Sequence, residues 1–157
     1  MLKFEPPEFA PSVRLGEERG TELLNPTLSL EHKLYFEAMP STSQPTPSLS
    51  WLSSITYLGH DIEVGTWLVV CSEDESFPAH TAVVQSLFHV DGVAHLHIWR
   101  VNQPLQQGKD GVPYAKEEDL ESETGGMLQN IVADSSNSIT VLVSTLLDGK
   151  RRFIEAP

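Results

Sequence analysis

A chain of 157 residues is long enough to bury a core without a metal or a disulfide to staple it. Its 22 acidic residues against 10 basic ones give a formal net charge of −12, which repels phosphate backbones and weighs against direct nucleic-acid binding. The single cysteine, Cys71, excludes an intrachain disulfide and points to a reducing compartment, nuclear or cytoplasmic, and no apolar run reaches membrane-spanning length.

Residues 1 to 27 carry Pro6, Pro7, Pro11 and Pro26 among scattered acids, with no helical or alternating period, so an extended arm is predicted. Its opening, MLKFEPPEFAPS, lacks the continuous apolar segment of a signal peptide. Residues 28 to 39, LSLEHKLYFEAM, fit either a helical face through Leu30 and Leu34 or alternation through Leu34 and Phe36. A short strand or a single helical turn is expected there. Residues 40 to 50, PSTSQPTPSLS, have the proline and serine content of a linker. The folded domain is therefore expected over residues 51 to 157, behind an arm and linker of residues 1 to 50.

Ile55, Tyr57 and Ile62 suggest a first strand or bent pair broken at Gly59, and Glu63 to Cys71 reads as a second strand closed by the SEDES turn. The best-defined stretch is residues 80 to 102, two β-rich runs separated by Asp91-Gly92. A type I′ turn needs positive φ at both central residues, and these two tolerate it. That turn predicts the pairs Val90–Val93, Phe88–His95, Ser86–His97, Val84–Trp99 and Ala82–Val101 on one face. Phe88, Val84, Trp99 and Val101 make this the core face, drawing His95 and His97 inward. Residues 103 to 126 form a long acidic loop, of a length usually either functional or disordered. Met127 to Ala133 and Ile139 to Leu146 are expected to pair as a second hairpin across DSSNS. Asp148-Gly149 marks a last turn before a short strand through Arg152, Phe153 and Ile154. The predicted fold is mainly β: a small, partly open β-barrel or sandwich of antiparallel strands with a long acidic loop.

His95-Leu96-His97 invites a metal hypothesis, because side chains two apart on a strand share a face. A cupin-like metal enzyme would want a carboxylate shortly beyond the pair, and residues 98 to 102 supply none. His89 falls on the opposite face from His95. Histidines satisfied by ordinary hydrogen bonds are the expected arrangement. No Gly-x-Ser-x-Gly elbow and no phosphate-cradling glycine loop occurs, and Cys71 lies in an apolar strand where a thiolate is disfavoured. The expectation is a non-enzymatic protein without a cofactor. Lys150-Arg151-Arg152, the single basic cluster, is expected to be a solvated turn.

Of the large aromatics Tyr57, Trp67, Phe88, Trp99 and Tyr114, Trp67 and Trp99 are expected inside the barrel. Tyr57, Trp99 and Tyr114, with Glu117, Glu118 and Asp119 of the acidic run, are the candidate binding residues, holding a cationic side chain by cation–π and charge attraction. A protein partner is implied, such as a basic peptide or histone-like tail; a chain that forms one subunit of a larger assembly fits the same features.

From about residue 55 to 154 the order of features resembles the bromo-adjacent homology (BAH) module of chromatin proteins. Ile62-Glu63-Val64-Gly65-Thr66-Trp67-Leu68-Val69-Val70 is similar to that family's early strand, Ala82 to Leu87 to its next strand, and His97-Ile98-Trp99-Arg100 to the strand ending in its tryptophan. Asp148 to Phe153 falls where the late strand pair lies. Thr66 replaces the family's usual acid, and Arg100-Val101 replaces the aromatic pair after the tryptophan, so no methyl-lysine cage is carried over. The resemblance implies a β-barrel-centred scaffold for protein contacts in chromatin-linked assemblies.

Overall fold

The computed structural model describes residues 13–25, 27, 29–38, 48–71, 79–101, 104–121, 126–133 and 138–157. The linker up to residue 47, the SEDES turn, part of the acidic run at 122–125 and most of DSSNS at 134–137 lie outside them.

Antiparallel strands dominate. They are β1 (Val13–Leu15), β2 (Glu18–Leu23), β3 (Ser48–Leu52), β4 (Ile55–Tyr57), β5 (His60–Ile62), β6 (Trp67–Cys71), β7 (His80–Val90), β8 (Val93–Val101), β9 (Gln106–Gln107), β10 (Pro113–Lys116), β11 (Gly126–Val132), β12 (Ser138–Leu147) and β13 (Lys150–Glu155). Among the described residues two helices, α1 (Leu30–Ala38) and α2 (Glu117–Glu121), accompany the strands. The larger sheet runs β11-β8-β7-β6-β12-β13-β10-β9, with β3 joining β7 and β2 joining β3, and a smaller sheet runs β1-β4-β5. The sheets do not close into a barrel; of the two predicted architectures, the sandwich is the compatible one.

Asp91 and Gly92 both take positive φ, 52° and 83°, and the β7–β8 hairpin reverses there as the dipeptide requires. Pairing follows the predicted register from Val90–Val93 to Ser86–His97, then slips at a bulge: Val84 pairs with Ile98, Val83 with Trp99 and Ala82 with Arg100. The exposed Gln85 is the extra residue, so Val84–Trp99 and Ala82–Val101 are corrected. A one-residue slip turns every later side chain over. Val84 therefore leaves the face of Phe88 and joins Leu87, Leu96 and Ile98 in the main core.

That core lies between the two sheets, where Ile55, Tyr57 and Ile62 pack against Leu68, Val84, Leu96, Ile98 and Ile131. The outer face of the larger sheet is covered twice. At one end α1 closes over Phe88, Val90 and Leu49. At the other, α2 and β10 close over Val101 and Phe153, with Trp67 and Trp99 packed alongside. Trp67 and Trp99 thus share a cluster, but on the outside of the sheet and not in a barrel interior.

Parts of the stretch before Trp51 are built into the sheets: Val13–Leu15 pair with Ile55–Tyr57, and Glu18–Leu23 pair with Ser48–Leu52, so these residues are strands and not an unpaired arm. The 28–39 segment forms a nine-residue helix, longer than the expected turn. Ser29 caps it, its carbonyl accepting from Lys33 N–H and its hydroxyl from His32 N–H, while Glu31 sits in the favourable first turn. Glu63 to Thr66 form a turn instead of strand: Thr66 N–H donates to Glu63 O, Thr66 Oγ1 accepts from Glu63 N–H, and Gly65 takes φ 94°. The strand begins only at Trp67. The predicted second hairpin is also absent. β11 pairs β8 and β12 pairs β6, so these runs flank the central hairpin on opposite sides. The long loop carries β9, β10 and α2, and the final Asp148-Gly149 hairpin forms as expected.

Candidate functional site

The candidate binding residues divide between two places. Tyr57 lies 2% exposed in the main core, where its hydroxyl accepts from Ile139 N–H at 3.3 Å; it is a structural residue out of reach of any partner. Trp99, Tyr114, Glu117, Glu118 and Asp119 gather at the α2 end of the outer face. There Val101, Pro104, Gln106, Tyr114, Ala115, Asp119 and Leu120 line a cleft of about 30 Å³. Such a space holds a water or the tip of one side chain, far less than a metabolite needs. Tyr114 donates its hydroxyl proton to Gln106, which orients the ring at the cleft, and Glu118 and Asp119 face solvent.

The basic cluster, expected as a solvated turn, is matched within the chain. Antiparallel pairing of β10 with β13 sets Lys116, Ala115 and Tyr114 opposite Lys150, Arg151 and Arg152. Lys150 Nζ sits 5.1 Å from the centroid of the Tyr114 ring. Arg151 donates from Nε and Nη2 to the two carboxylate oxygens of Glu117 at 3.1 and 3.2 Å, a forked pair that is mostly buried, and from Nη1 to Ser144 at 2.7 Å. Its guanidinium also lies 5.8 Å from the Trp67 centroid. Arg152 pairs with Asp110. Cation–π and carboxylate contacts, the chemistry expected for an incoming base, are used here by the chain's own turn. Glu118 and Asp119 remain exposed on α2, with Lys116 exposed just before them.

The histidine pair lies at the other end of the same face. His95 and His97 are each 1% exposed, alongside His32 of α1 at 0%. The Phe88 ring stacks on His95 at 5.1 Å and 2°, and meets His97 edge-on at 4.8 Å; Tyr35 of α1 covers His95 from above at 5.1 Å. Asn130 Oδ1 is 3.3 Å from His95 Nδ1. Ordinary hydrogen bonding therefore accounts for His95 but not for His97, whose two ring nitrogens have no hydrogen-bond partner among the described residues. Burial, the neighbouring His95 and then His32 push the His97 ring down to about 3, so it is held neutral. No three His, Cys, Asp or Glu side chains converge as a metal-ligand set among the described residues. Sequence reasoning missed His32. Its signal was the SLEH capping pattern, which places it in the first turn of a helix.

No family model matches the chain, and no curated protein shows significant similarity to it.

Proposed function

We propose that this chain is a non-enzymatic protein–protein interaction module that takes a basic peptide segment of a partner against its α2 face. The observation that carries the reading is the cleft beside α2: Tyr114 and Asp119 line a space the size of one side-chain tip, with Glu118 exposed on the same short helix. A flexible Lys or Arg tip fits that opening, and the surrounding acidity raises its encounter rate. The BAH-like order of segments makes a chromatin-linked partner the first to try, with a histone-tail-like peptide as the probe.

The test is a calorimetric titration of the full chain with a lysine- and arginine-rich tail peptide. Saturable binding that weakens with added salt is expected, and the double substitution Glu118→Lys with Asp119→Lys should lower affinity at least about tenfold, the cost of like charge at a peptide rim. Equal affinity of the double variant, or no saturable binding, would overturn the proposal.

A further inference from the structure

The nest of histidines under α1 has no part in the α2 cleft. On three adjacent strands Ser86, His97 and Asn130 stand in one cross-strand row, and Phe88 and His95 stand in the next. Ser86 Oγ, both His97 nitrogens and Asn130 Nδ2 are buried without hydrogen-bond partners among the described residues. Helix α1 seals this polar row with apolar contacts, Tyr35 against Phe88 and His95, and His32 edge-on to Trp51. Among the described residues His97 is faced by His95 from its own strand, Ser86 from β7, Asn130 from β11 and His32 from α1, with Tyr35 of α1 against the adjoining Phe88 and His95 rings. Two carboxylates are nearby in the fold, but Glu22 is hydrogen-bonded to His32 Nε2 at 2.8 Å and Asp91 acts on Tyr35. Among the described residues His97 makes no salt bridge, and none of them balances a proton arriving there, which adds a buried charge. His32 is held in one tautomer, its Nδ1 accepting from Asn25 N–H at 3.1 Å.

We infer that α1 is an acid-released cover: below neutral pH, protonation of His97 parts the helix from the β7–β8–β11 face and uncovers Phe88, while the opposite core stays folded. The separation follows from the two-sided sheet. His32, His95 and His97, the fully buried histidines among the described residues, all pack against rings on the α1 side, whereas His60, His80 and His89, which stand opposite Tyr57, Val70 and Ala94 of the main core, are only partly buried. The sign is fixed by burial. His97 is neutral in the closed form and takes up a proton readily once exposed, so closure is fully favoured above about pH 6.5 and weakens as pH falls toward about 3. One linked proton lets the opening constant rise by up to about tenfold per pH unit across that window.

Hydrogen exchange of the full chain between pH 7.5 and 4, corrected for the intrinsic pH dependence of exchange, reads this directly. Amides of residues 33–38 are expected to lose protection as pH falls, while β6 and β12 keep theirs, and His97→Phe should flatten the pH dependence. Protection of α1 that does not change with pH, that is lost together with β6 and β12, or that falls equally in His97→Phe would overturn the inference. If His97→Phe does not fold, ring signals of the native histidines decide. A His97 ring that titrates with the loss of α1 protection supports the release, and one that stays neutral through it refutes the release.

Discussion

Tyr57 shows how one residue type serves two purposes that spacing cannot separate. A tyrosine at the end of a short strand is equally suited to a pocket rim or to a core in which its hydroxyl finds a backbone donor. Here the hydroxyl receives Ile139 N–H, the first buried amide of β12, and so fixes where that strand enters the sheet. Tyr57→Phe removes the acceptor and leaves that amide unpaired in a dry environment, at a cost of about 1–2 kcal/mol. Denaturant unfolding should show this loss as a lower midpoint with an unchanged slope. Affinity for a basic peptide should not move, because the residue is remote from the α2 cleft. Tyr114 is the contrasting case, half-buried and oriented by Gln106, with its ring face already engaged by Lys150.

At the level of strands and helices, what could be read in the sequence was local and what could not was relational. Asp91-Gly92 and Asp148-Gly149 announce their turns because few residue pairs accept positive φ at both positions. Gln85 announces nothing: a bulge residue is an ordinary exposed side chain, and only the partner strand reveals that one residue is surplus. The bulge nonetheless decides the faces, sending Val84 to the main core while Phe88, His95 and His97 go under α1. The partners of β11 and β12 were equally hidden, since two consecutive β runs look like a hairpin whether or not a sheet intervenes. Gly126 opens β11 for a steric reason. A Cβ there would stand 2.1 Å from Arg100 O and 2.7 Å from two atoms of the Trp99 ring. The backbone oxygen cannot yield without parting β8 from β11, so Gly126→Ala should cost about 1–3 kcal/mol, as overpacking does. Thermal melting would register the loss, and a shifted tryptophan emission spectrum would show that Trp99 has moved.

For the whole molecule, the decisive fact is that its first segments complete its sheets. β1 closes the small sheet against β4, β2 extends the large one beyond β3, and α1 roofs the outer face. The proline-rich composition of the amino-terminal residues hid this, because composition averages over a stretch while pairing depends on a few residues within it. Deleting residues 1–45 removes Leu24 and Tyr35 and strips the cover from Leu49, Phe88 and Val90. At about 2 kcal/mol for each large apolar side chain returned to water, an upper-end value, the loss is on the order of 10 kcal/mol. That is comparable with the entire stability of a typical domain, so the truncated chain should show no cooperative melting transition by circular dichroism. Acid release of α1 is milder, because β1 and β2 stay in place and the core between the sheets remains covered. A truncated chain that still melts cooperatively would mean that β1, β2 and α1 lean on a sheet able to stand without them. The histidine nest would then be sealed by an appendage and not by part of the fold.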